Sequence, residues 1–166
     1  MNGARIVRMI AAAAMSLVAT LAGAAPGTVA CTVASSGIAL GIYNPVRSAP
    51  TTGTGVAQID CRLTSGRFAR VAVTLSLSAG NSNNFTGRRM LSGSNFLGYG
   101  IYWDAAYSQI AGDGTGGSTA DGPFAAFLNR RNSTYSRAVT MYGQIPALQD
   151  VAPGTYVDTI VATVTY

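Results

Sequence analysis

The chain contains no histidine, no lysine and no glutamate. All eleven basic residues are Arg and all six acidic residues are Asp in a chain of 166 residues. Proton transfer would therefore fall to Asp, Tyr or one of two Cys, and the sequence shows no nucleophile beside a base. Two Cys without His also make no ordinary zinc site. The composition predicts a protein that is not an enzyme and that holds no metal or cofactor.

Long hydrophobic runs are also scarce. The longest lies at the amino end and is shorter than the about 20 apolar residues that a transmembrane helix needs. Arg5 and Arg8 precede the apolar, Ala-rich residues 9–21, and small residues follow. This order is typical of a secretory signal peptide. We place the cleavage between Ala24 and Ala25, which predicts export through the inner membrane.

Residues 1–24 are thus predicted to be a signal peptide and residues 25–166 a single domain, because a chain of this length suits one hydrophobic core. Removal of two Arg with the signal peptide would lower the formal net charge from +5 to +3, that is, nine Arg against six Asp. The alkaline isoelectric point is therefore partly a property of the signal peptide.

Two pairs of adjacent basic residues remain, Arg88-Arg89 and Arg130-Arg131. They are compatible with a patch for nucleic acid or acidic polysaccharide, or with solvated loop ends. No basic helix or aromatic stacking motif accompanies them in the sequence. We therefore interpret them as loop ends and expect no nucleic-acid partner.

Cys31 and Cys61 are the only cysteines. An even pair in an exported chain predicts one disulfide, which would contribute about 3 to 4 kcal/mol in the chain-entropy model. Lipidation at Cys31 is the weaker alternative, because residues 28–30 lack the Leu usual in lipoprotein signals.

Alternation of apolar and polar residues predicts an all-β domain with no good helix. About seven short strands separated by turn signals favour a β-sandwich of immunoglobulin-like type. The glycine-rich residues 111–122 are predicted to be a flexible surface loop. Trp103 is interpreted as core rather than as a carbohydrate platform. The predicted strands are residues 38–43, 56–63, 68–77, 89–91, 99–103, 137–144 and 156–166.

Three aspartates, Asp104, Asp113 and Asp121, lie in or near the glycine-rich loop. Carboxylates in such a loop can bind calcium, but their spacing fits no cation loop. Capping of tight turns by the Asp side chains is the preferred interpretation.

The last strand alternates up to the final residue, Tyr166. An open sheet edge with an apolar face promotes aggregation unless something covers it. The pattern therefore predicts that another chain supplies the cover.

Ordered motifs along nearly the whole predicted domain resemble the spore coat protein U domain family. The matching residues are Cys31, the Gly41-Ile42-Tyr43-Asn44-Pro45 turn, Thr54-Gly55 before Cys61, Arg89-Met90, Tyr99-Gly100-Ile101-Tyr102, Gly112-Asp113-Gly114, Tyr142-Gly143-Gln144-Ile145-Pro146, Pro153-Gly154-Thr155-Tyr156-Val157-Asp158-Thr159 and Val161-Ala162-Thr163-Val164-Thr165-Tyr166.

The resemblance implies a subunit of an archaic, Csu-type chaperone-usher pilus. Its fold would be an incomplete immunoglobulin-like β-sandwich that lacks its final strand. A donor strand from a periplasmic chaperone, and later from a neighbouring pilus subunit at the outer-membrane usher, would complete it. The protein would then reach the cell surface as part of a fimbrium.

Strand geometry suggests which residues would line the groove for the donor strand, because alternate side chains share a face. We expect the apolar face of the last strand to form the floor of the groove and an early apolar segment to form the wall opposite it. The predicted groove residues are Ile38, Leu40, Ile42, Ile160, Ala162, Val164 and Tyr166.

Only residues 25–30 would precede Cys31 after cleavage, and six residues span at most about 20 Å. Pro26 and Gly27 are also poor strand formers. A subunit that accepts a strand but cannot donate one would belong at the tip of a fibre. The alternatives are a minor subunit that donates its strand weakly, a stand-alone secreted spore-coat or surface protein, and an adhesin module that binds through its loops.

Overall fold

A computed structural model describes residues 27–166, so the predicted signal peptide and the cleavage between Ala24 and Ala25 lie outside the described residues. No helix of the described part is long and apolar enough to cross a membrane. Eight strands and one short 3-10 helix, Gly80–Ser82, form the domain. The strands are β1 (Val29–Ser35), β2 (Thr51–Leu63), β3 (Phe68–Leu77), β4 (Arg88–Ser92), β5 (Asn95–Tyr102), β6 (Asp121–Asn129), β7 (Thr134–Ile145) and β8 (Ala162–Thr165).

The strands form two antiparallel sheets. One has the order β1-β2-β7-β5-β4, and the other has the order β6-β3-β8. Their inner faces pack together because every second residue of the long strands is apolar, as in the buried series Val73, Leu75 and Leu77 of β3. The predicted all-β sandwich is therefore confirmed.

The disulfide between Cys31 and Cys61 joins β1 to β2. The two residues lie directly opposite each other in the ladder, with their Cα atoms 4.0 Å apart. The predicted disulfide is confirmed, and it ties the edge strand β1 to the sheet.

Two predicted strands differ in the structure. Residues 38–43 pair with no strand of the described chain, because the backbone leaves the β1–β2 ladder at Gly37, whose φ is +70°, and crosses over β2 instead. Residues 156–166 form a ladder only over Ala162–Thr165, since their partner β3 ends at Leu77. Two strands, β1 and β6, are absent from the predicted set. In β6, Gly122-Pro123 and two adjacent Ala weaken the alternating pattern.

The glycine-rich residues 111–122 lie at the surface, with residues 113–117 exposed, but the base of this segment is packed. Ala111 has no exposed surface, and the Gly112 amide donates to the Thr119 carbonyl at 2.8 Å. Trp103 packs partly buried against the core and donates its indole N–H to the same carbonyl at 2.7 Å. The core interpretation of Trp103 is thus confirmed.

Two of the three aspartates predicted to cap turns do so, whereas Asp121 is the first residue of β6. The Asp104 carboxylate accepts hydrogen bonds from the Ser108 and Gln109 amides, and Asp113 accepts from the Thr115 amide and hydroxyl. These bonds hold the pKa of both carboxyls below the ordinary value. Among residues 27–166, no three potential metal-ligating side chains come together.

Candidate functional site

A groove opens between the two sheets where two segments of the chain have no strand partner. Its first wall is residues 37–45, after β1, and its second wall is residues 151–162, before and into β8. It contains two adjoining cavities of about 420 and 510 Å³. Four side chains line both cavities and join them into one groove. They are Ile38, Leu40, Met90 and Tyr156.

The floor of the groove is the hydrophobic core itself. Side chains from β4, β5 and β7 that are buried in the sandwich also face the cavities. The cavities leave these side chains without packing partners on one side, which costs free energy until another group fills the space. The floor residues are Met90, Leu97, Tyr99, Ile101, Met141 and Ile145.

The first wall is seated on a patch of glycines on the inner face of the five-stranded sheet. A Cβ atom at Gly55 would overlap the Gly37 carbonyl oxygen, and one at Gly53 would overlap the Ala39 carbonyl oxygen. A Cβ atom at Gly143 would lie 2.8 Å from a Leu40 methyl carbon. The bare backbones of β2 and β7 therefore let the first wall cross the sheet in close contact.

The second wall is fixed by Asp158. Its Oδ1 accepts the Asn81 amide at 2.9 Å, and its Oδ2 accepts the Tyr99 hydroxyl at 2.7 Å. Val157 adds a two-way backbone bridge to Leu91 of β4, with N···O distances of 2.8 and 3.0 Å. These contacts hold the wall in place although it belongs to no sheet over most of its length.

Both walls have backbone edges that pair with no other backbone, although the Thr159 amide donates to the Asp158 Oδ1 atom at 2.8 Å. Within residues 27–166, no backbone group of residues 38–43 or 158–160 forms a hydrogen bond with another backbone group. The edge of β8 away from β3 also pairs with no strand in the described chain. Backbone N–H and C=O groups normally find partners, so the groove is open to an added strand on both sides.

A buried arginine lies near the second wall. Arg88 has no exposed surface, donates from Nη2 to the Ser78 carbonyl at 2.8 Å, and stacks its guanidinium 5.3 Å from the Phe85 ring centroid. Burial lowers the pKa of Arg88, and burial together with the hydrogen bond to Asp158 raises the pKa of Tyr99. The interpretation of Arg88 as a solvated loop end is wrong, because its position on β4 points inward.

Five of the seven predicted groove residues line the cavities, and two do not. Ile42 lines the larger cavity with 95% of its surface exposed. Val164 packs against the core opposite Leu75 and lines neither cavity, while Tyr166 is 51% exposed and lines neither. The residues that do line them are Ile38, Leu40, Ile42, Ile160 and Ala162.

Sequence reasoning missed Tyr156, which lines both cavities, and the floor residues. Tyr156 alternates with Asp158 and Ile160, so the two-residue period of the second wall could have identified it as a groove residue. The floor residues carry no such signal, because they are indistinguishable in sequence from other core positions.

Comparison with known proteins supports a family assignment. The family model of the Spore Coat Protein U domain matches residues 17–163. Protein U of Myxococcus xanthus is 31% identical over 133 residues, which cover 76% of this chain and 69% of that protein.

Solved structures also share the fold, and one of them is a pilus subunit complex. It is the crystal structure of the CsuC-CsuE chaperone-tip adhesion subunit pre-assembly complex from archaic chaperone-usher Csu pili of Acinetobacter baumannii, with a TM-score of 0.50 at 18% identity. The match covers 84% of this chain and spans 40% of the length of that chain. From the extent of the family match and the identity to Protein U, we conclude that this chain belongs to the spore coat protein U domain family.

Proposed function

We propose that this protein is a structural subunit of a surface pilus that is assembled by the chaperone-usher pathway through donor-strand exchange. The observation that carries the proposal is the groove, which combines an apolar floor with two walls of unpaired backbone. A strand laid between the walls would pair its backbone with both and insert alternate side chains into the cavities. The proposed donors are a periplasmic chaperone and a neighbouring subunit delivered at an outer-membrane usher.

The free energy that a donor strand would contribute is comparable to the whole stability of a typical domain. Burying one large aliphatic side chain contributes roughly 1.5 to 3 kcal/mol. A donor strand that fills the two cavities with three such side chains would contribute roughly 5 to 9 kcal/mol on this scale. Typical domains have a net stability of only about 5 to 15 kcal/mol. The incomplete domain is therefore expected to be marginal by itself.

The structural match to a chaperone–subunit complex is consistent with this proposal. The pilus position at the tip, inferred from the short segment ahead of Cys31, stays a prediction. The signal peptide of residues 1–24 and the surface location also belong to the proposal.

The test compares three proteins expressed in the periplasm. The first is the chain alone, the second carries a strand of alternating apolar residues fused after Tyr166 through a flexible linker, and the third carries the same strand with its inward residues changed to Ser. We expect only the second to be monomeric by size exclusion and to melt more than about 10 °C above the others. Equal stability of all three monomers would refute donor-strand complementation and would favour a stand-alone coat or surface protein.

A further inference from the structure

Two exposed phenylalanines lie on the outer face of the three-stranded sheet, away from the groove. Phe127 of β6 is 54% exposed and Phe68 of β3 is 39% exposed. The ladder places Arg70 directly opposite Phe127, with its guanidinium carbon 5.5 Å from the ring centroid. The two ring centroids are 6.4 Å apart with an interplanar angle of 31°. Two rings and a cation therefore form one continuous surface.

Three further arginines surround this surface. Arg67 directly precedes β3, while Arg130 and Arg131 directly follow β6, and all three are exposed. The last pair of the ladder, Phe68 with Asn129, brings these segments together. The Asn129 Oδ1 atom accepts the Arg131 amide at 2.8 Å and thereby fixes the turn. We call Arg67, Phe68, Arg70, Phe127, Arg130 and Arg131 the basic aromatic patch.

No carboxylate balances this charge on the same sheet. Of the residues of β3, β6 and β8, only Asp121 is acidic, and it lies at the opposite end of β6 from Arg130. Asp60 belongs to the other sheet, where it pairs with Thr32 and its carboxylate accepts the Ser136 hydroxyl. The patch is thus a cationic surface with two aromatic rings at its centre.

We propose that the basic aromatic patch binds an acidic polysaccharide through carboxylate-bearing sugar residues. Guanidinium groups bind carboxylates with two parallel hydrogen bonds, and aromatic faces cover the apolar faces of sugar rings. A single-stranded nucleic acid fits less well. Its successive bases stack on parallel aromatic faces, whereas the planes of these two rings are tilted by 31° to each other. The proposal does not depend on the function of the groove.

The test measures binding of the purified full-length protein to alginate oligosaccharides, to neutral dextran of equal length and to single-stranded DNA of equal charge. We expect alginate to bind, dextran not to bind, and DNA to bind more weakly. Binding should weaken at high salt, because exposed charges are screened. Equal binding of dextran, or tighter binding of DNA, would overturn the proposal.

Matched variants separate the patch from net charge. Arg70→Gln with Arg130→Gln should weaken alginate binding about tenfold, since each exposed ion contact contributes up to about fivefold. Arg47→Gln with Arg89→Gln removes the same charge from exposed sites outside the patch and should leave binding within about twofold. Phe127→Ala, with an unchanged melting temperature, should also weaken binding severalfold. A control pair that loses as much affinity as the patch pair would show that only net charge matters.

Discussion

The contact between the first wall and the glycines beneath it predicts that Gly55→Ala destabilises the protein. Replacement by Ala adds one methyl group on the inner face of β2, where it would overlap the Gly37 carbonyl oxygen and lie 2.9 Å from the Ile38 side chain. The main obstacle is backbone, so it cannot rotate away. We therefore expect the first wall to lift from the sheet.

The cost follows from the side chains that the wall carries. Ile38 and Leu40 are half-buried and pack against the core. Losing about half of the full burial of two such side chains costs roughly 2 to 3 kcal/mol. A Gly→Ala change also restricts the unfolded chain, which offsets about 0.4 to 1 kcal/mol. The expected net loss in the free energy of unfolding is about 2 kcal/mol.

The assay is thermal and chemical denaturation of the protein carrying a fused donor strand. For a domain of this size, about 2 kcal/mol corresponds to a fall of roughly 4 to 8 °C in melting temperature. Gly87→Ala is the control, because its Cβ atom would approach only the Asn84 side chain, at 3.2 Å, and no backbone atom. Its melting temperature should change by less than about 3 °C.

A double-mutant cycle identifies the cause. If Gly55→Ala acts by lifting the wall, Ile38→Ala should cost clearly less in the Gly55→Ala background than in the parent protein. A melting temperature of Gly55→Ala within 1 °C of the parent, or full additivity with Ile38→Ala, would refute the seating of the wall on the glycine patch.

Two further predictions concern the disulfide and the last strand. Replacing Cys31 and Cys61 together by Ser should lower the free energy of unfolding by about 3 to 4 kcal/mol through loss of loop closure, and an unchanged melting temperature would contradict this. Val164→Asp should abolish accumulation in the periplasm even with a co-expressed chaperone, because Val164 packs on the core opposite Leu75. Accumulation is measured by immunoblot, and Thr163→Asp on the outer face is the control. Normal accumulation of Val164→Asp would show that Val164 does not pack on the core as described.

The elements that could be predicted from the sequence are those whose alternation of apolar and polar residues is complete within the element itself. The bounds of β3 are the predicted ones, Phe68–Leu77, because its alternation is uninterrupted. The disulfide was predictable because the chain offers only one pair. Arg88 and Arg89 look alike in sequence, yet one is buried and the other exposed, since the pairing of β4 with β5 decides which face each takes.

The path of the first wall could not be predicted in the same way. Residues 38–43 alternate like a strand, but their position depends on glycines at 53, 55 and 143, far away in sequence. Only the register of β2 with β7, which pairs Gly53 with Gly143, brings these glycines into one patch. The basic aromatic patch could not be predicted for the same reason. The strand β6 was not predicted, and no local motif brings Phe68 close to Phe127.

The last part of the second wall, from Thr159 onward, and β8 also lack the features that usually protect an open edge. Proteins blunt such edges with charged side chains, proline or a bulge. Residues 159–166 contain none of these charges and no Pro, and the nearest acid, Asp158, is held by the Tyr99 hydroxyl and the Asn81 amide. The outer face, by contrast, carries four arginines at one end. Residues 159–166 thus keep a backbone edge that can pair with a strand, whereas the outer face is charged and solvated. This difference indicates that strand pairing takes place in the groove, where one added strand can pair with both walls.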